Sequence, residues 1–148
     1  MRVRDVPQRR SLTREELERV RRAAAAVFAA GEDVLAAYLF GSAARAEPAA
    51  DVDVAVLFRD APDPRRLDAL AAELQRDAAP AGLDIDLRPL NGASPRFRAN
   101  VVREGQVLFE RDRLLRLERE AQWITMWLDF KPTWERMRRR MLARWDRG

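Results

Sequence analysis

The sequence reads Gly-Ser-Ala-Ala-Arg at residues 41–45 and Asp-Val-Asp-Val-Ala-Val-Leu-Phe at residues 51–58, and these two stretches decide the fold. An apolar run at residues 34–40 precedes them and predicts a buried strand. Strand side chains alternate, so Asp51 and Asp53 would lie on one face, about 7 Å apart. Two carboxylates held this close favour a shared cation, and Mg²⁺ prefers oxygen ligands. The second stretch therefore predicts a strand that carries a metal site.

The turn between the two strands has the residues that a phosphate group needs. Gly41 ends the first strand and permits close approach of a ligand to the backbone. Ser42 offers a hydroxyl and an N–H at the predicted start of a short helix, where free amides and the helix dipole favour an anion. Arg45 follows on the first turn and can bind a phosphate oxygen. Gly-Ser alone is also typical of an ordinary turn, but the acidic strand beside it favours a nucleotide site.

This arrangement resembles the nucleotidyltransferases of the DNA polymerase β superfamily, and the short chain resembles their minimal nucleotidyltransferase (MNT) branch. The resemblance extends over residues 34–132. It implies an α+β fold of the polymerase β type, with helices packed on a mixed sheet and a helical C-terminal tail. That fold places a third carboxylate on a neighbouring strand. Counting back from Leu90-Asn91 gives Asp86 this position, and Asp84, on the same strand face, is the alternative.

The resemblance also implies a function, namely an MNT antitoxin that transfers AMP from ATP to a tyrosine of a cognate HEPN ribonuclease toxin. The expected partners are the toxin, in a hetero-oligomer, and ATP. The implied catalytic and Mg²⁺-binding residues, with two ions expected, are Asp51, Asp53 and Asp86. The implied ATP-binding residues are Gly41, Ser42 and Arg45. Two alternatives stay open: a non-catalytic antitoxin that acts by binding, and a small-molecule nucleotidyltransferase of the aminoglycoside type.

Two departures from the family pattern bear on the phosphate turn. Family members usually carry glycine after the arginine, whereas this chain has Ala46, and a positive φ there would be strained. The loop that leads to Asp51 is shorter than usual, with Ala50 where serine commonly stands. Neither change removes an expected metal ligand, but both bear on how phosphate is held.

Composition predicts one soluble globular unit and narrows the chemistry. The chain has 148 residues, of which 47% are hydrophobic and 35% charged, which is enough for a single core. It has no cysteine and no histidine, which excludes thiol nucleophiles, disulfides, zinc fingers and imidazole bases. No apolar run approaches about 20 residues, so we expect no membrane span. The arginine-rich start lacks an apolar signal core, which predicts a cytoplasmic protein.

The net charge of +4 comes almost entirely from arginine, since Lys131 is the only lysine. Basic and acidic residues interleave over most of the chain, and two clusters depart from this pattern. For these clusters a solvated helix face is favoured over partner contact, and partner contact over nucleic acid. The clusters consist of Arg2, Arg4, Arg9 and Arg10 near the start and Arg136, Arg138, Arg139 and Arg140 near the end.

Local signals predict the remaining elements. Thr13 and Glu16 form a capping box that begins a helix ending at Gly31. Further helices are expected at residues 66–79 and from Pro95 to near Gly105, and an edge strand at residues 106–109. The inward positions of the first helix are Leu17, Val20, Ala24, Val27 and Phe28.

The chain changes character after residue 110. Residues 1–110 are predicted to form the catalytic domain and residues 111–148 a helical tail within the same structural unit. Pro132 is expected to interrupt the tail helix, because proline lacks a helix donor. The tail carries two apolar stripes, a heptad-like seam of Leu114, Leu117, Ala121, Ile124 and Leu128 and a second one of Trp134, Met137, Met141 and Trp145. Packing of this tail on its own sheet and use as a partner interface both stay open.

Overall fold

The computed structural model describes residues 8–147 and has the expected α+β composition. Arg2 and Arg4, from the first basic cluster, lie outside the described residues. Four helices and four strands follow one another along the chain. In order they are α1 (Arg14–Ala30), β1 (Val34–Phe40), β2 (Asp51–Phe58), α2 (Pro64–Ala78), β3 (Asp84–Pro89), α3 (Pro95–Glu104), β4 (Gln106–Glu110) and α4 (Arg113–Trp145).

The four strands form one mixed sheet in the order β3-β2-β1-β4. The central strand β1 runs antiparallel to both β2 and β4, whereas β2 and β3 are parallel. The short connection from β1 to β2 permits an antiparallel pair, and helix α2 supplies the crossover that a parallel pair requires. The prediction of a mixed sheet is confirmed, and β4 is an edge strand as expected.

Helices cover both faces of the sheet. One face packs against α1 and α2, with Val52, Val54 and Ile85 in a core shared with Phe28 and Leu70. The opposite face packs against α3 and α4 and includes another set of buried residues, among them Tyr38, Ala55, Leu57, Val101 and Trp123. Because strand side chains alternate, β2 contributes to both cores, and its polar residues fall on the second face.

Helices α1, α2 and α3 begin where their sequences predict or within two residues of it. The capping box of Thr13 and Glu16 is present, and Gly31 caps the C-terminus of α1. The inward positions of α1 are buried as expected, except for Leu17, which packs partly buried at the edge of the core. Helix α2 starts at Pro64, before the predicted residue 66, because Asp63 caps it and proline suits the first turn.

The long helix α4 continues through Pro132, so the expected interruption is wrong. Pro132 and Leu128, whose carbonyl loses its helical partner, both lie on exposed positions of α4. Water can therefore bond the freed carbonyl, and the helix tolerates the proline. Although α4 is long, within residues 8–147 there is no helix that combines the length and the apolar character needed to cross a membrane.

The buried face of α4 differs from the predicted heptad-like seam. Trp123 and Trp127 are the buried residues of the helix, and Trp123 belongs to the core beneath α3. Leu114, Leu117 and Leu128 of the seam are instead exposed. Spacing alone identified a helix with a stripe, but it could not decide which of two overlapping stripes faces the sheet. The tryptophans bury more apolar area and take that side.

Candidate functional site

Strands β2 and β3 bring four aspartates to one face of the sheet. Their parallel register pairs Asp51 with Asp84 and Asp53 with Asp86. Alternation along each strand then points all four side chains toward the face that α3 and α4 cover further along. Asp51 is exposed and Asp53 half-buried, so the acidic end of this face opens to solvent.

Asp53 is the electrostatic centre of this group. Burial raises the pKa of the Asp53 carboxyl above its ordinary value, and the neighbouring charges of Asp86 and then Asp51 raise it further. The Arg88 guanidinium acts on the pKa of Asp53 in the opposite direction. The causes that raise the pKa, namely burial and the two neighbouring carboxylates, all disfavour the charged form of Asp53. A bound cation would relieve the repulsion among the three carboxylates.

The geometry distinguishes Asp86 from Asp84, which sequence alone left open. The carboxylate of Asp84 accepts a hydrogen bond from Gln75 Nε2 at 3.2 Å, and Gln75 Oε1 in turn accepts from the Ile85 N–H at 2.8 Å. Asp86 instead acts on the pKa of Asp53 and makes an exposed 3.6 Å ion pair with Arg88 Nε. Asp84 is thus held by helix α2, while Asp86 belongs with Asp53.

Gly41 lets the turn after β1 approach this carboxylate group. Its φ is +73°, in the region that favours glycine. A Cβ atom at this position would lie 2.6 Å from Asp53 Oδ2, which is closer than non-bonded atoms can pack. The turn and the acidic strand are therefore in direct contact, and only glycine permits it.

The turn that follows is not the short helix expected at Ser42. Residues 42–46 form a hydrogen-bonded turn that closes at once. The N–H of Glu47 donates to the carbonyl of Ser42 at 3.0 Å, and the N–H of Ala46 donates to the carbonyl of Ala43 at 3.4 Å. This pair of bonds is a Schellman-type ending, which stops a helix after one turn.

Ala46 has the conformation that was expected to be strained. Its φ is +56°, and it is the one residue other than glycine with a positive φ in the described part of the chain. A Schellman ending puts its left-handed residue at this place, where glycine is the usual choice. The alanine methyl is exposed, so little burial offsets the unfavourable backbone conformation.

Arg45 is not directed at the aspartates. Its guanidinium makes ion pairs with Glu47 at 3.2 Å and with Glu104, at the end of α3, at 3.3 Å. All three side chains are well exposed, so these pairs are weak and can exchange for another anion. Arg45 is thus directed at Glu47 and Glu104, whereas Gly41 lies against Asp53.

Other contacts hold the turn, and sequence reasoning missed them. Gln106 of β4 donates from Nε2 to the carbonyl of Ala44 at 2.8 Å, and Arg21 of α1 binds the Oε1 of the same side chain. Ala49 pairs with Arg10 through two backbone hydrogen bonds of 2.8 and 3.0 Å. These partners lie far apart in the chain, so no local pattern signals them.

Arg10 is therefore a structural residue and not a solvated or partner-binding member of the basic cluster. Its guanidinium bonds both carboxylate oxygens of Glu16, at 2.8 and 2.7 Å, and the carbonyl of Ala81 at 2.7 Å. The Arg10 guanidinium and the capping bonds together hold the pKa of Glu16 down at about 2. Its neighbour Arg9 is exposed, as expected for a solvated position.

The aspartates have the right donor chemistry for Mg²⁺, but their carboxylates do not point at one common position. Among residues 8–147, no group of three or more acidic side chains is arranged to hold a metal ion. Asp86 is turned toward Arg88, and Asp51 is exposed to solvent. All donors are carboxylate oxygens, and a cation would neutralise the charges of Asp86 and Asp51 that, after burial, raise the pKa of Asp53. The residues fit a magnesium site provided that Asp86 leaves Arg88.

Comparison with known proteins agrees with this description. The family described as polymerase beta, nucleotidyltransferase, matches the chain over residues 24–114, which include both acidic strands and the turn. Because this match covers more than half of the chain, the protein belongs to the polymerase β nucleotidyltransferase family. Among curated proteins, no sequence matches the chain.

Several solved structures have a similar fold. One similar chain comes from the structure of a tri-AMPylated Shewanella oneidensis HEPN toxin in complex with MNT antitoxin. It is 21% identical, the match covers 86% of this chain and 98% of that chain, and the TM-score is 0.68. A chain of a toxin–antitoxin structure with AMP-PNP is 22% identical, with 88% of this chain and 99% of that chain covered and a TM-score of 0.67. A chain of the MntA–HepT toxin–antitoxin structure is 22% identical, with 79% of this chain and 92% of that chain covered and a TM-score of 0.63. At these identities the likeness concerns the fold, and it confirms the expected polymerase β type.

Proposed function

We propose that this protein is an antitoxin nucleotidyltransferase that transfers AMP from ATP to a tyrosine of a cognate HEPN ribonuclease toxin. The observation that carries the proposal is the contact between the glycine turn and the acidic strands, with Gly41 against Asp53 and Asp86 beside it. The fold neighbours add the partner and the donor, because they include an AMPylated HEPN toxin bound to MNT antitoxin and a toxin–antitoxin with AMP-PNP.

The proposed reaction is an in-line displacement at the α-phosphorus of ATP. The tyrosine hydroxyl oxygen attacks this phosphorus, the bond to the bridging oxygen of the β-phosphate breaks, and pyrophosphate leaves with the electron pair. The hydroxyl proton passes to Asp86. No covalent enzyme intermediate is needed, which agrees with a chain that has neither cysteine nor histidine.

Besides the proton acceptor, the scheme needs residues that bind the metal and residues that bind the phosphates. Asp51, Asp53 and Asp86 would hold Mg²⁺, with two ions expected, which supplies positive charge to the triphosphate and to the leaving group. The backbone amides of Gly41 and Ser42, with the Ser42 hydroxyl, would bind the β- and γ-phosphates. Arg45 would exchange Glu47 and Glu104 for a phosphate oxygen, since its present ion pairs are exposed.

The test is the intact mass of a cognate HEPN toxin after incubation with this protein, Mg²⁺ and ATP. We expect added mass in steps of one AMP, located on tyrosine by peptide mapping. Asp53→Asn keeps the size of the side chain but removes the charge, and we expect it to abolish transfer. The matched control is Asp84→Asn, which alters the strand-face neighbour that Gln75 holds. Equal loss in both variants, or added mass without the protein, would contradict the assignment.

A second candidate function is neutralisation of the toxin by binding alone. Ala46 favours it, because a left-handed alanine strains the turn that would hold the phosphates. A stable complex with an unchanged toxin mass would support this function. Protection of cells from the toxin by Asp53→Asn, to the same degree as by the parent, would support it independently.

A further inference from the structure

One face of helix α4 is built like an interior face from Trp123 to the end of the helix. Steps of three or four residues connect Trp123 to the end of the helix, so the residues at these steps share one side. Successive members of this face are Trp123, Trp127, Phe130, Trp134, Met137, Met141 and Trp145. We call the last three the overhang stripe.

The first half of this face has a covering and the overhang stripe does not. Trp123 and Trp127 are buried, and Trp134 packs edge-on against Trp127 at 5.7 Å with Arg96 of α3 over its ring at 4.8 Å. The exposed fractions then rise to 52% at Met137, 60% at Met141 and 84% at Trp145. The helix thus extends beyond its own domain while keeping an apolar face.

The charges beside the overhang stripe select its partner. Residues 135–146 contain five arginines and two acidic residues. Two copies of this segment would repel one another, which disfavours self-association through it. A surface with acidic side chains flanking an apolar groove would be attracted and steered to it.

From these features we propose that the overhang stripe docks on a helical protein surface with acidic flanks. The members of the stripe lie four residues apart and form one ridge, which is suited to the groove between side chains of another helix. Methionine, tryptophan and arginine are also the residues enriched at the centres of protein interfaces. The stripe is narrow and flanked by Arg138 and Arg144, which is less suited to lying in a lipid interface than a broad apolar face would be.

The identity of the partner rests on the proposed function, which makes the cognate HEPN toxin the docked protein. The measurement is the Kd of the toxin complex without ATP, by calorimetry, for Met141→Gln and Trp145→Gln. The matched control is Met126→Gln, a methionine of the same helix that is 48% exposed and off the stripe. We expect roughly tenfold or weaker binding for each stripe variant and no change for the control. Circular dichroism should show the parental helix content in all three.

A second probe separates this inference from the proposed function. It is a synthetic helical peptide with leucine at the a and d heptad positions and glutamate at e and g, compared with a twin that has lysine at e and g. We expect the protein to bind the glutamate peptide and not the lysine twin. We expect the Met141→Gln variant to bind neither peptide. Binding of the glutamate peptide without binding of the toxin would overturn the proposed function and leave the docking surface standing.

Three results would overturn the docking inference. The first is equal binding of toxin and glutamate peptide by the stripe variants and the parent, or failure of both probes to bind the parent. The second is a parental dimer, by light scattering, that Met141→Gln converts to monomer, since the occupant would then be a second copy. The third is a parent that binds a single-stranded RNA probe and stripe variants that lose this binding while they bind toxin and peptide as the parent does.

Discussion

Replacing Ala46 with glycine should make the protein more stable, although glycine usually destabilises. The reason is the φ of +56° at Ala46, at the left-handed position of the turn that closes after Arg45. An L-residue with a side chain loses about 1–2 kcal/mol in this conformation, and glycine does not. The exposed methyl group contributes little burial that its removal would forfeit.

The expected gain is the difference between two effects. Glycine adds freedom to the unfolded chain, which costs about 0.4–1 kcal/mol on folding. Subtracting this cost from the relieved backbone energy leaves a net gain of about 0.5–1 kcal/mol. For a chain of this size, 1 kcal/mol shifts Tm by about 2–4 °C, so we expect Ala46→Gly to melt about 1–4 °C higher.

Thermal unfolding followed by circular dichroism measures this shift, and Ala44→Gly is the control. Ala44 lies in the same turn, its φ is not positive, and its methyl is packed partly buried against the core. Glycine there should lower stability by about 0.5–1 kcal/mol or more. A decrease in Tm for Ala46→Gly, or equal shifts in the two variants, would refute the argument that Ala46 is strained.

Two further predictions concern the strands that carry the site. Asp53→Asn should raise stability at neutral pH, because the folded protein raises the pKa of this carboxyl and so disfavours its charged form. The raised pKa adds stability only below the pKa of the unfolded chain, and this is lost as pH rises through the folded pKa. The advantage of the variant should therefore vanish at acid pH, and urea titrations over a pH series test this. Asn91→Ala should cost about 1–3 kcal/mol, because the Asn91 amide bonds both the N–H and the carbonyl of Phe58, at 2.8 and 2.9 Å, and the variant leaves them unpaired. Urea unfolding at neutral pH measures this loss, and an unchanged midpoint would contradict it.

Local chemistry made much of this fold predictable. The capping box at Thr13, the proline at the start of α3 and the glycine at residue 41 each act within a few residues, and the structure places each where the sequence predicts. The acidic strand β2 was readable because alternation is a property of the strand itself. These features depend on neighbours in the sequence, which a single chain displays directly.

Features that depend on tertiary packing were not predictable in the same way. Period-two alternation puts Asp84 and Asp86 on one face, but their different partners, Gln75 for Asp84 and Arg88 for Asp86, are seen only in the structure. Helix α4 passes through Pro132 because this part of the helix faces water, and burial cannot be read from a proline. Likewise, the sequence did not show whether the leucine seam or the tryptophan side of α4 would be buried, because this depends on which side packs against α3.

The position of β3 at the edge of the sheet has a consequence for how the protein avoids aggregation. An edge strand presents unpaired backbone groups to other chains, and charged side chains discourage such pairing. Charged side chains occupy every second residue of β3, namely Asp84, Asp86 and Arg88, so Asp86 serves on this edge as well as in the proposed chemistry. Variants that replace these charged residues with apolar ones would expose an apolar edge strand that can pair with another molecule and aggregate. Asparagine and glutamine are therefore the substitutions that test the chemistry without creating a new interface between molecules.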